Sequence, residues 1–129
     1  MERMNFHEYQ VLARRTQNTS ITEFQRKMHA LHGMSSEVGE IHGIFQKVYQ
    51  GHTVDYDELI KEMGDLMWFM CELCDCIGIE LEDVCRLNIE KLKKRYPEGF
   101  DEEKSRSRYK TTTLDEIKSI AERMESVNA

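Results

Sequence analysis

The chain has 129 residues, 24 of them acidic and 18 basic, giving a net charge of −6, with one proline, seven glycines and four cysteines. That length is one domain with a modest core, the acidic balance argues against a general nucleic-acid binder, which carries a basic stripe, and the scarcity of proline beside abundant Glu, Lys, Leu and Met points to an all-α chain. The longest apolar run, Leu66 to Cys71, is too short to span a bilayer, and no apolar segment of signal-peptide type follows the opening residues, so a soluble, cytoplasmic protein without membrane partners is expected.

Asn5 and Glu8 have the spacing of a capping box and open a short helix to about Arg15, with Phe6, Tyr9, Val11, Leu12 and Ala13 as an imperfect apolar face. A polar turn over Thr16 to Thr19 precedes a second box, Ser20 with Glu23, and a long helix to about Tyr49. Phe24, Met28, Leu31, Met34, Val38, Ile41 and Phe45 recur along it at three and four. Gly33, Gly39 and Gly43 each cost about 1 kcal/mol relative to Ala inside a helix, which implies a packing or access reason for them. After a turn at Gly51-His52, Asp55 with Glu58 starts a third helix that stops at Gly78. Leu66 to Cys71 is apolar on every side of it, the mark of a helix covered all round, so a homodimer or larger assembly is expected.

The fourth helix spans about Leu81 to Arg95 and ends where Tyr96-Pro97-Glu98-Gly99 blocks continuation. Asn88, Lys91 and Arg95 fall on one line along it, either a basic last turn favoured by the helix dipole or a row that grips phosphate. Asp101 to Thr112 reads as a polar connection, and Thr113 with Glu116 opens a last amphipathic helix through Leu114, Ile117, Ile120, Ala121 and Met124. Cys71, Cys74, Cys76 and Cys85 lie within helical patterns rather than on a zinc knuckle, and are read as small buried apolar residues of a reducing compartment.

The chemistry is concentrated between Glu37 and Asp65. Glu37-Val-Gly-Glu40 and Glu62-Met-Gly-Asp65 each place two carboxylates on one helix face. Glu37 and Asp65 lie equally far from Gly51, as do Glu40 and Glu62, so an antiparallel hairpin brings all four to one level. Like charges about 4 Å apart repel by roughly 4 kcal/mol at an effective dielectric near 20. Such a cluster is either splayed into water or holds a hard cation, Mg²⁺, Mn²⁺ or Ca²⁺, on oxygen ligands. Other Glu-x-x-Asp pairs, such as Glu72 with Asp75 and Glu80 with Asp83, illustrate how often the spacing arises by accident in an acidic chain. A di-iron carboxylate bundle is disfavoured, because none of the five histidines completes a Glu-x-x-His pair.

Taken together, Gly33 to Glu40, Glu62-Met-Gly-Asp65-Leu-Met-Trp68-Phe69 and Asn88 through Lys91, Arg95, Tyr96 and Pro97 to Phe100 resemble the MazG-like nucleotide pyrophosphohydrolases, and Tyr9-Gln10, Ala13 and Thr16 resemble the start of the short, often phage-type members. The likeness covers roughly residues 6 to 108, so 1–108 is taken as the helical domain and 109–129 as a C-terminal helical extension. The resemblance implies an all-α bundle of four to five helices, active as a dimer or dimer of dimers. It implies Mg²⁺, with Mn²⁺ as substitute, on Glu37, Glu40, Glu62 and Asp65, and nucleotide contacts from Asn88, Lys91, Arg95 and Tyr96. The implied reaction splits a nucleoside triphosphate into the monophosphate and pyrophosphate through a water oriented by metal or carboxylate, with Glu37 or Glu40 as its base. Trp68 is either a stacking partner for the base or core. Two departures stand out: Phe69 replaces a common Tyr, and Glu80 replaces a small polar helix cap. The rival reading is a non-catalytic nucleotide-binding or helical interaction protein.

Overall fold

The computed structural model describes residues 2–109 and 112–128. Among these there are no strands, and the helices are α1 (Phe6–Arg14), α2 (Glu23–Gln46), a 3-10 turn (Lys47–Gln50), α3 (Tyr56–Ile77), α4 (Leu81–Arg95), α5 (Glu102–Ser107) and α6 (Leu114–Asn128). No described helix is long and apolar enough to cross a membrane. The chain divides into two compact units, Met1–Asn88 and Ile89–Ala129.

In the first unit, α1 begins with the expected capping box, Glu8 N–H donating to Asn5 Oδ1 at 2.8 Å and Asn5 N–H to Glu8 Oε2 at 2.9 Å. The second box forms two residues later than expected. Thr22 caps α2, its Oγ1 accepting from Gln25 N–H at 3.1 Å while Gln25 Oε1 accepts from Thr22 N–H at 2.9 Å. Ser20 is already committed elsewhere, its N–H and hydroxyl both donating to Asn18 Oδ1 at 2.9 and 2.6 Å. This Asx turn competes with a helix start at Ser20, and Thr-x-x-Gln satisfies the same template as Ser-x-x-Glu. The far end of α2 tightens into the 3-10 turn, and Gly51 takes φ 91°, a left-handed conformation that favours glycine. Asp55 then caps α3, accepting from Glu58 N–H at 3.1 Å, and Gly78 ends it at φ 72°.

The α2–α3 hairpin has the anticipated register. Gly33 and Phe69, equally distant from Gly51, face one another so closely that a methyl group on Gly33 would overlap the Phe69 ring. Gly39 and Gly43 have open space where a side chain would project, so the packing reason holds for Gly33 alone.

α1 is held against α3 by polar contacts more than by its apolar residues. Phe6, Val11 and Leu12 remain exposed, whereas Gln10 is 1% exposed. Its Nε2 donates to Asp75 Oδ1 at 3.0 Å and to the Ile79 carbonyl at 3.2 Å, and its Oε1 accepts from Leu81 N–H at 2.7 Å. Gln10 therefore caps the start of α4, where Glu80 stands in place of a small polar residue. Asp75 also accepts from Arg14 Nη2 at 2.8 Å and from Gln17 Nε2 at 2.6 Å. Burial pushes the Asp75 carboxyl up, but the hydrogen bonds from Arg14, Gln10 and Gln17 outweigh it and hold the group below the usual carboxylate range. Trp68 joins the same face to the α1–α2 connection, its indole N–H donating to Thr16 Oγ1 at 2.8 Å.

The buried apolar core is small: Ala13, Cys71, Cys74 and Leu81, with Tyr9, Met67, Trp68 and Ile79 packed around them. The four cysteines are free thiols, and burial pushes Cys71 up to about 11 and raises Cys74 and Cys76. These are protonated, apolar-packed thiols, in keeping with a core role. The expectation that Leu66 to Cys71 is covered all round is not met within one chain. Cys71 is buried, but Leu66 through Met70 are only half-buried. The α2 stripe likewise splits, with Met28, Met34 and Ile41 half-buried and Phe24, Leu31, Val38 and Phe45 exposed.

In the second unit, the Tyr96 and Phe100 rings pack at 5.7 Å between centroids. The stretch read as a polar connection contains α5, capped by Asp101 accepting from Lys104 N–H at 3.1 Å. It has no apolar periodicity to announce it; the cap and the early Glu102 and Glu103 suffice for six residues. α6 begins with Thr113 and Glu116 capping one another, and its Leu114, Ile117, Ile120 and Met124 are exposed.

Two outcomes follow for stability. Gly33→Ala gains about 1 kcal/mol in helix propensity but overpacks Phe69 at roughly 1–3 kcal/mol, so thermal unfolding shifts downward, and adding Phe69→Leu restores it; a more stable single variant would contradict the contact. Because the Asp75 pKa is depressed in the folded chain, its contribution is present above the unfolded carboxylate range, near 3.9, and is lost as pH falls through the lower folded value. Asp75→Asn should therefore be less stable at neutral pH and show a shallower loss of stability between about pH 5 and 2, as read by denaturant titrations across that range.

Candidate active site

Four carboxylates on a two-helix hairpin meet only if both helices keep their periodicity through the glycines at 39 and 64. α2 and α3 do so. Glu37, Glu62 and Asp65 each offer an oxygen, all within 4.8 Å of one another. Glu40, the fourth, is exposed and stands apart from this trio. It lines an adjoining cleft of about 660 Å³ together with Glu62, Lys47, His52 and Asp55. The four-carboxylate expectation thus resolves into three converging groups and one at the edge.

Repulsion within the trio is visible in its proton affinity. Glu37 is held up at about 7 by its hydrogen bond with Glu62, then by burial, then by the charges of Glu62, Asp65 and Glu40. With a pKa of about 7, Glu37 carries its negative charge only part of the time near neutral pH. Glu37 Oε2 is nevertheless shut off from solvent without a hydrogen-bond partner, an expensive state for a carboxylate oxygen. A hard divalent cation answers both features. Carboxylate oxygens of this kind suit hard cations such as Mg²⁺ or Mn²⁺, and the buried lone pair of Oε2 is the kind of donor such an ion uses.

Of the other residues singled out in the sequence, Asn88 is exposed at the end of the first unit. Lys91, Arg95 and Tyr96 belong to the second, Lys91 exposed and the other two half-buried. Trp68 lies one turn past Asp65, half-buried, with its N–H engaged by Thr16.

Two constellations escaped the sequence. Lys47 and His52 bring cationic or hydrogen-bonding groups to the cleft beside Glu40 and Glu62; their place at the apex of the hairpin was the available signal. The pair Glu72 and Asp75, which looked accidental, contains two strongly constrained carboxylates. Asp75 anchors α1, and Glu72, 1% exposed, lies 2.6 Å from His29 Nδ1. His29 also meets Trp68 and Phe69 edge-on, at 6.3 and 5.4 Å between ring centroids. Counting residues outward from Gly51 would have placed His29 opposite Glu72 and its neighbour.

No curated protein and no solved structure matches the chain. The model of the MazG nucleotide pyrophosphohydrolase domain matches residues 25–100, a shorter stretch than the likeness at 6 to 108, with α1 outside it. That match takes in both acidic motifs, their shared hairpin and more than half of the sequence, and the chain belongs to the MazG nucleotide pyrophosphohydrolase domain family.

Proposed function

We propose that the protein is a Mg²⁺-dependent nucleoside triphosphate pyrophosphohydrolase, acting on ribo- or deoxyribonucleotides and releasing the monophosphate and pyrophosphate. The observation that carries this reading is the convergence of Glu37, Glu62 and Asp65, with one buried, unpartnered oxygen, inside the matched family domain. Mg²⁺, or Mn²⁺ in its place, supplies charge neutralisation at the triphosphate oxygens. Glu37, Glu62 and Asp65 hold it.

Glu40 is the candidate base. It is exposed beside the trio rather than committed to it, so it is free to take a proton from a water attacking the α-phosphorus in line. The new P–O bond forms as the bond to the bridging oxygen of the β-phosphate breaks, and the electron pair leaves on pyrophosphate. Lys91 and Arg95 on α4 are assigned to the departing pyrophosphate. Asn88, Tyr96 and Trp68 are assigned to the nucleoside.

Residues 1–108 are proposed as the working domain, with 109–129 as a helical extension. We further propose a homodimer or dimer of dimers. Phe24, Leu31, Val38 and Phe45 recur every seven residues along α2 and are 41–69% exposed, and Tyr56, Ile60 and Met63 on α3 are 55–68% exposed. Apolar rows of this length beside so small a core are characteristic of an interface. Free, protonated thiols and the absence of a membrane-spanning helix among the described residues suit a cytoplasmic location, and the negative charge suits a small-molecule substrate rather than a nucleic acid.

Incubation with a panel of NTPs and dNTPs plus Mg²⁺ should yield monophosphate and pyrophosphate; a folded, metal-loaded sample without turnover would refute the reading. Glu40→Gln should lose roughly 10²- to 10⁴-fold in kcat while retaining the fold, and Lys91→Ala should weaken triphosphate use with Mg²⁺ binding intact. In sedimentation over a dilution series no stable folded monomer is expected, and a well-behaved monomer would exclude the interface.

A further inference from the structure

The hairpin extends beyond the carboxylates into a second ordered group that metal binding does not use. Stepping back along α2 from Glu37 by four residues at a time gives Gly33 and His29; stepping forward along α3 from Asp65 by four and then three gives Phe69 and Glu72. Eight residues of helix are about 12 Å of rise, close to the reach of a nucleotide from its phosphates to the far edge of its base. At the Gly33 level the Phe69 ring lies directly on the glycine backbone. At the next level stands His29.

Three contacts determine how the His29 ring is presented. Nδ1 faces the Glu72 carboxylate at 2.6 Å, and the Trp68 and Phe69 rings meet it at 89° and 64°. Trp68 is itself pinned by Thr16. The carboxylate takes the Nδ1–H, so the remaining ring nitrogen, Nε2, is the edge left for a ligand, and the His29 side chain is 51% exposed against 1% for Glu72. A buried carboxylate is costly, and an apolar residue would fill that space with equal or better stability. What Glu72 adds is orientation of the half-exposed imidazole.

We infer that His29, oriented by Glu72 and walled by Trp68 and Phe69, hydrogen-bonds the edge of the substrate nucleobase and sets base preference. This rests on reading the Glu37–Glu62–Asp65 cluster as the triphosphate end of the site. His29 is a specificity-determining residue and Glu72 a positioning residue.

The single tryptophan of the chain lies against His29 and provides a readout independent of turnover. The full-length protein is titrated with the four nucleoside monophosphates in Mg²⁺ while Trp68 fluorescence is followed. Wild type should show base-dependent quenching, its best and worst monophosphates differing by about tenfold or more, the worth of one hydrogen bond. In His29→Phe, which keeps an aromatic ring, and in His29→Asn, that spread should narrow to within about threefold, with Mn²⁺ binding at the carboxylates unchanged as the check on folding. Glu72→Gln, which retains an acceptor for Nδ1, should keep more of the spread than Glu72→Leu. A flat wild-type series, or a spread unaltered in both His29 variants, overturns the inference. Base-dependent quenching without triphosphate hydrolysis removes the pyrophosphohydrolase reading and leaves the base contact standing. Hydrolysis with discrimination unchanged by His29 substitution removes the base contact and leaves the enzyme standing.

Discussion

Three carboxylate oxygens within 4.8 Å of one another are the contact that the rest of the α2–α3 hairpin has to hold together. At such separations the mutual repulsion amounts to several kcal/mol at an effective dielectric near 20, of the order of the net stability of a whole small domain. The fold meets it in two ways. The raised proton affinity of Glu37, with its pKa up at about 7, lessens the charge of the cluster near neutral pH, and the packing of Phe69 on Gly33 and the left-handed Gly51 hold the helix register against splaying. The site is thus a strained arrangement of the kind that a bound divalent cation would relieve, stabilising the fold in turn.

The means of bracing the hairpin are unusually polar. Gln10, Gln17, Arg14 and Asp75 form a hydrogen-bonded network at the C-terminal end of α3, and Trp68 with Thr16 ties down the α1–α2 connection. The apolar core beside them is limited to small side chains such as Ala13, Cys71 and Cys74 around Leu81. A network of this kind favours one arrangement of helices, and it leaves the long apolar rows of α2 and α3 free of duties within the chain. Bracing by polar contacts and an outward-facing apolar surface are two aspects of the same economy of size: a two-helix hairpin with one short helix against it has too little interior to bury both faces.

Much of the fold was legible because helices advertise their ends and faces locally. Asn5 with Glu8, Asp55 with Glu58, and Gly78 marked boundaries by chemistry confined to one turn. Where two local signals competed, as Ser20 against Thr22, side-chain bonding to Asn18 decided between them, and that is not encoded in spacing alone. α5 was illegible for the opposite reason, having no apolar face at all. The acidic site was legible to the level of its helices, since symmetry about Gly51 fixes height along the hairpin. It was not legible to the level of rotation about each axis, which separates Glu40 from the other three. His29 and Glu72 were hidden because a single histidine and one of many acidic residues carry no signal until a partner is known.

The order of the longer helices, the hairpin register and the placing of Glu37, Glu40, Glu62 and Asp65 at about one level were determined by the sequence itself, because 3.6-residue periodicity and end-capping are short-range properties; that only Glu37, Glu62 and Asp65 converge was decided in three dimensions. Tertiary structure alone decided which carboxylate carries the extra proton, that Gln10 caps α4, that Asp75 anchors α1, and that Glu72 is buried against His29. Those outcomes depend on desolvation and on partners 25 to 71 residues away in the chain. Burial of a charge is settled only by what surrounds it in space.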